Sequence, residues 1–133
     1  MVENPRAKCA NAMTSATERL LAFAFANADV LLEVDGTGVV HSGLGATRTL
    51  LRRADDRLNG LSLAELIASA DSAMVDAMLR VLPNNTRLNP VLVQLVTGTD
   101  KPVTATLGGY RLDSDEKRFY LTLSRARQPA AQA

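Results

Sequence analysis

Two residue types that carry much of protein chemistry are nearly missing from this chain: its 133 residues include one cysteine, Cys9, and one histidine, His41. A single cysteine excludes an intramolecular disulfide and a cysteine zinc cluster, and suits a reducing, cytoplasmic compartment. A single histidine excludes a multi-histidine metal site, and without an orienting partner it is weak evidence for catalysis. An excess of either charge is also lacking. Lys plus Arg number 15 and Asp plus Glu 14, a formal net charge of +1, so no whole-chain field steers the protein to nucleic acid. The most apolar stretch, Leu20 to Leu32, is broken by Asn27 and Asp29; it falls short of the roughly 20 apolar residues a membrane span needs, which argues against membrane insertion. Glu3, Arg6, Lys8, Glu18 and Arg19 give the N-terminus the wrong layout for a secretory signal. What remains is 47% hydrophobic and 22% charged, a globular composition at the size of one domain.

The N-terminal segment has two helix starts. Asn4-Pro5 offers cap and first-position chemistry, and Ser15 with Glu18 has capping-box spacing. The spacing predicts a helix from Pro5 to Asn27, with Thr14 as the place where it could break. Successive residues about 100° apart put Met13, Leu20, Leu21 and Ala24 on one face, with Phe23 and Phe25 on opposite flanks. The resulting arc of roughly 200° is about twice what a helix needs to sit on one core. Its surplus predicts a homodimer interface formed by these six residues, Phe23 and Phe25 dividing between own domain and partner.

From Asp29 the period changes to two. Val30, Leu32 and Val34 alternate with Leu31, Glu33 and Asp35; Asp35-Gly36-Thr37-Gly38 turns, and Val39-Val40 resumes, which predicts a β-hairpin. Thr47 to Arg53 reads as a short helix and Asp55-Asp56 as a polar turn. Ser62 and Glu65 form a second capping box opening a short helix around Leu63 to Ala68. Asp71 or Ser72 can cap the next helix, in which Met74, Val75, Met78, Leu79 and Leu82 share a face until Pro83-Asn84-Asn85. Three antiparallel strands follow: Val91 to Thr97; one carrying Val103, Ala105 and Leu107; and one in which Phe119, Leu121 and Leu123 alternate with Tyr120, Thr122 and Ser124. Thr97 to Pro102 and Asp113-Ser114-Asp115 read as the turns between them. Beyond Ser124 there is little to bury.

The candidate chemical groups are weak. Ser42-Gly43-Leu44-Gly45-Ala46 lacks the Lys-Ser/Thr of a P-loop and the third glycine of a dinucleotide fingerprint, and reads as a turn. Glu33 and Asp35 share a strand face, which a solvated surface and a hairpin turn explain. Arg52-Arg53 stands beside Asp55-Asp56, so the local charge nearly cancels and no phosphate patch is expected. Cys9 has only Lys8 as a neighbouring cation and reads as inert.

This order is α+β: a helix, a hairpin, short helices, a longer helix and three strands, with the first two strands able to pair with the last three in a five-stranded antiparallel sheet carrying short helices on one face and an N-terminal cap helix. With Asp35-Gly36, Val39-Val40, Leu50-Leu51, Leu58 and Gly60, then Leu63 and Leu66-Ile67, and Asp71 before the long helix, the region 28–125 resembles a PAS domain. The resemblance implies a non-enzymatic sensory module, with 1–27 as a dimerising cap helix, 28–125 as the sensory domain and 126–133 as the start of a linker to an output domain such as a cyclic-dinucleotide enzyme or a kinase. It also implies a ligand pocket lined by Val34, Val40, Leu66, Met78, Leu95 and Leu107. Haem is disfavoured because Ser72 to Leu82 contains no histidine; cysteine-linked flavin is disfavoured because the middle of the chain has no cysteine. A ligand-free dimerisation scaffold and a small α+β enzyme such as an isomerase are the alternatives. Leu44-Gly45 stands where many PAS domains have an asparagine. Leu123-Ser124-Arg125 stands where many sensor kinases have an Asp-Ile-Thr-like exit, which weighs against direct coupling to a histidine kinase.

Overall fold

The computed structural model describes the backbone of residues 5–98, 103–113 and 117–126, with side chains from Ser15 onward except Asp113. Helix α1 (Pro5–Asn27) runs unbroken past Thr14. The Ser15 start is not used, because the alanine-rich sequence on either side favours continuing the helix. Met13 and Cys9 have side chains outside the described set.

Strands β1 (Val30–Asp35) and β2 (Val40–Gly45) form the expected hairpin. Helix α2 (Thr47–Leu50) is shorter than the sequence suggests, since the chain leaves helical geometry at Arg52, whose φ is 59°. Asp55-Asp56 is not a turn but the start of helix α3 (Asp55–Leu58). Its fold-back lets Asp55 accept a hydrogen bond from Oγ1 of Thr47, the buried polar side chain of this region. The Ser62–Glu65 capping box forms as expected, around a 3-10 turn at Leu63–Glu65. Helix α4 (Ser69–Val81) starts after Ala68 with no side-chain cap, so neither Asp71 nor Ser72 serves as one. The Asp71 carboxylate instead accepts from the backbone N–H of Gln94, 2.8 Å away, tying helix to sheet.

Strands β3 (Thr86–Leu95), β4 (Val103–Asp113) and β5 (Lys117–Arg125) complete a sheet of order β2-β1-β5-β4-β3, antiparallel at every pairing. Strand β3 begins five residues before the expected Val91, taking in Pro90. That proline is tolerated because β3 is an edge strand and the register shifts between Leu88 and Val91. Of the turns expected at Thr97 to Pro102 and Asp113-Ser114-Asp115, residues 99–102 and 114–115 lie outside the described residues, and Asp113 ends β4.

Inward-facing residues of β1, β5 and β4 form the floor of one core, roofed by Leu51, Leu58, Leu66, Ile67, Val75 and Leu79. The segment from Gly60 to Ala68 crosses that roof from one sheet edge to the other. At the β2 edge, Val40 N–H donates to Leu61 O at 2.7 Å and Leu63 N–H to Gly38 O at 2.7 Å; at the β3 edge, Val96 N–H donates to Leu66 O at 2.9 Å and Ala68 N–H to Gln94 O at 2.8 Å. One strap thus occupies donors and acceptors on both edges that would otherwise invite intermolecular pairing. No helix of the described residues is long and apolar enough to cross a membrane.

Candidate functional site

Three places bring polar groups or open space together. The first is a cleft of about 260 Å³ between the β1–β2 turn, the 3-10 turn and α4, lined by Thr37, Ser62, Ile67, Ser72, Val75, Asp76 and Leu79 among others. Its floor is apolar and its rim carries hydroxyls and a carboxylate, the mixture expected of a small-molecule site. Asp76 is shared with Arg80 in an exposed ion pair of 3.0 Å, one helical turn apart.

The six residues expected to line a pocket do not line this cleft. Val34, Val40, Leu66, Leu95 and Leu107 are fully buried in the core and Met78 packs half-buried against it. Alternation identified the inward face correctly but carries no information on whether that face is filled. The cleft residues were partly legible: Val75 and Leu79 belong to the expected buried face of α4, and Asp76 and Ser72 border it. Thr37 and Ser62 were legible only as turn and cap.

Beside the cleft, the hairpin turn is held by Asp35. Its Oδ1 accepts from Thr37 Oγ1 at 2.6 Å, Thr37 N–H at 2.8 Å and Val39 N–H at 3.1 Å, while His41 Nε2 donates to Oδ2 at 2.7 Å. His41 reaches it because the register shift between Glu33 and Val34 makes it the extra residue of a bulge, and bulges re-aim side chains. The Thr37 hydroxyl above all, then His41 and the backbone N–H groups, hold the Asp35 carboxyl well below the usual range, against a smaller opposing effect of burial. The pair is a turn clamp rather than an acid and base, since the carboxylate's acceptor positions are already taken. No cluster of three metal-ligating side chains occurs among the described residues.

The second place is the junction of α1 with the outer sheet face. Ser124 Oγ donates to Asn27 O at 2.6 Å, Arg125 N–H to Asp29 Oδ2 at 2.8 Å, and Asp29 N–H to Leu123 O at 2.8 Å. Ala24 lies over Tyr120 and Thr122 in a shallow apolar hollow completed by Leu31 and Leu44. The face carrying Tyr120, Thr122 and Ser124 is therefore the one that meets the helix, as its lower apolar content suggests. Gly45, with φ +102°, admits the Phe25 ring; a Cβ there would lie 2.7 Å from Phe25 Cε1 and 2.4 Å from Asp29 O. Farther up, α1 stands clear of the domain: Leu20 is 71% and Phe23 75% exposed. On the same outer face Glu33 pairs across from Tyr120, and desolvation followed by this carboxylate raises the phenol's pKa.

The third place corrects the expectation that Arg52-Arg53 and Asp55-Asp56 cancel. Arg48, Arg52, Arg53 and Arg57 line one open cleft with Ala54 and Leu61, of about 680 Å³, and Asp55 and Asp56 line a neighbouring depression that Arg48 and Ala54 also border. A left-handed turn at Arg52 follows α2; a β-carbon in that conformation costs on the order of 1 kcal/mol, which is why glycine usually occupies it.

No family model and no curated protein matches this sequence. Among solved structures, the chain is similar to the PAS domain of an HTR-like protein from Haloarcula marismortui, at 15% identity and a TM-score of 0.70 over 90% of this chain and 98% of that one. It is also similar to a PAS domain from a two-component sensor histidine kinase, at 13% identity and a TM-score of 0.61 over 85% of this chain and 99% of the other.

Proposed function

The fold is that of a PAS domain, and from it we propose that the chain is a sensory input module: α1 (with 1–27) as the dimerising element, 28–125 as the sensor, and 126–133 as the start of a connection to an output domain. The observation that carries this reading is the α1–β5 junction. The two ends of the domain are hydrogen-bonded to each other through Asn27, Asp29, Ser124 and Arg125. A change in how α1 is held therefore moves the segment leaving β5, which is what an input module needs in order to bias an output such as a cyclic-dinucleotide enzyme or a kinase. The exposed Leu20 and Phe23 supply the reason for α1 to be held by a second copy.

In this reading the module itself is not an enzyme, and its input is either a small ligand, for which the cleft beside α4 is the best-formed space, or the dimer geometry. The second reading is the ligand-free scaffold, favoured by the burial of five of the six inward residues in one core. Native mass spectrometry of the chain purified from cells tests both. A dimer retaining a small molecule supports the ligand-sensing module, a bare dimer supports the scaffold, and a monomer that stays monomeric at high concentration overturns both.

A further inference from the structure

Arg48, Arg52, Arg53 and Arg57 converge on one cleft from α2, the following turn and α3. None of the four forms an ion pair among the described residues, in contrast to His41 with Asp35 and Arg80 with Asp76. Of the neighbouring carboxylates, Asp55 accepts from Thr47 and, with Asp56, lines the adjoining depression, which Arg48 also borders. Arg53 is half-buried, and its Nη1 is shielded from solvent without a hydrogen-bond partner. That nitrogen is closed to the cleft, so an anion there would meet the rest of the Arg53 guanidinium, which no protein carboxylate among the described residues neutralises. Arg52 holds its place with a φ of 59°, in a conformation glycine would adopt freely. Backbone strain retained at a cluster of unpaired like charges points to function rather than stability.

We propose that this cleft is an anion site for a ligand bearing two or more adjacent phosphates, of the size of a nucleoside di- or triphosphate. Four guanidiniums, each able to grip two oxygens, exceed what one phosphate dianion can neutralise and match a pyrophosphate unit. The cleft is larger than pyrophosphate alone, leaving room along Leu61 and Ala54 for an attached group. The whole chain carries only +1, so this site is a local arrangement and not the expression of a basic protein. It is independent of the sensory reading, because a monomeric chain could keep it and a dimeric one could lack it.

Calorimetric titration of the full chain with inorganic pyrophosphate, inorganic phosphate and ADP at low salt is the test. Pyrophosphate and ADP should bind at least tenfold tighter than phosphate and weaken as salt rises. Arg53→Gln with Arg57→Gln should lose tenfold or more. Arg87→Gln, which removes one exposed charge on β3, should leave binding within twofold; an equal loss there would mean nonspecific charge attraction and overturn the site. Arg52→Gly separates binding from folding, since it should weaken pyrophosphate several-fold without lowering Tm. A lower Tm with unchanged binding would make Arg52 structural and overturn its part in the site. Sedimentation with phosphatidylcholine vesicles containing phosphatidylinositol bisphosphate distinguishes a lipid headgroup from a free phosphate as the source. Absence of pyrophosphate binding by the wild-type chain, or tighter binding of a single-stranded oligonucleotide than of ADP, would overturn the proposal.

Discussion

The two faces of the sheet are built for opposite purposes. The inner face is Val30, Leu32, Val34, Leu107, Leu121 and Leu123, all buried, closed by a strap that bonds to both sheet edges. The outer face presents Leu31, Glu33, Tyr110, Tyr120 and Thr122, half-buried or exposed, with the last turn of α1 the part of the described residues that lies over it. Stability is concentrated where the side chains are buried, and the groups able to meet a partner lie where they are exposed. A substitution should thus be costly to folding on the inner side and progressively cheaper toward α1.

The largest expected effect is at the strap. Leu66 is fully buried, and its backbone carbonyl holds the β3 edge. Leu66→Ala leaves a cavity that the surrounding core fills only in part, and should cost about 2–5 kcal/mol in chemical denaturation. A loss below about 1 kcal/mol would mean that the inner face is looser than its burial implies. Gly45→Ala comes next, at about 1–3 kcal/mol, because it combines a left-handed backbone with a contact of 2.4 Å to Asp29 O. It should also free the end of α1, seen as faster hydrogen exchange at Asp29 and Arg125 than in the wild type.

How far these distinctions were legible in the sequence differs between the faces. Alternation in β1 and β5 identified which residues point inward, and the capping box at Ser62–Glu65 located the strap, since both signals are local in the chain. The fold follows from such local periods once five strands must share one core. What stayed hidden depends on direction in space. Arg52-Arg53 and Asp55-Asp56 are neighbours in sequence, so their charges read as cancelling, whereas in the fold the two arginines line one cleft and the two aspartates the adjoining one. Asp71 reads in the sequence as a helix cap, and only the packing of α4 against β3 makes it the acceptor for Gln94 N–H. The His41–Asp35 contact depends on a bulge, which alternation by itself does not reveal.

A smaller effect, with a definite pH dependence, is expected at the hairpin turn. The folded Asp35 carboxyl is held below its ordinary value, so the folded state favours its ionised form. That contribution is complete above the unfolded value of about 3.9 and is lost as pH falls through the lower folded value. Asp35→Asn should therefore cost about 1 kcal/mol at neutral pH, a modest figure because the side chain is partly solvated and the amide oxygen can still accept from Thr37 N–H. The difference between variant and wild type should shrink below pH 4. A difference that is constant from pH 7 to pH 3 would show that the hydrogen-bond geometry matters and the charge does not.

The smallest effect on folding is expected at Phe23, and there the contrast between the faces is tested most directly. Its ring is 75% exposed on a helix that stands off the domain, so within one protomer Phe23→Ser removes almost no packing. The remaining cost is a small difference in helix propensity, which keeps the change in unfolding free energy within about 0.5 kcal/mol. If α1 is covered by a second copy, the same substitution removes a large aromatic group from an interface, where such residues carry much of the binding energy. Dimer dissociation measured by analytical ultracentrifugation should then weaken tenfold or more while the monomer's unfolding curve is nearly unmoved. Leu66→Ala should lower stability in the monomer and dimer alike. Equal dimer strength in Phe23→Ser and wild type would remove α1 as the partner-facing element and leave the hollow under Ala24, beside Tyr120 and Leu44, as the place where the outer face meets its partner.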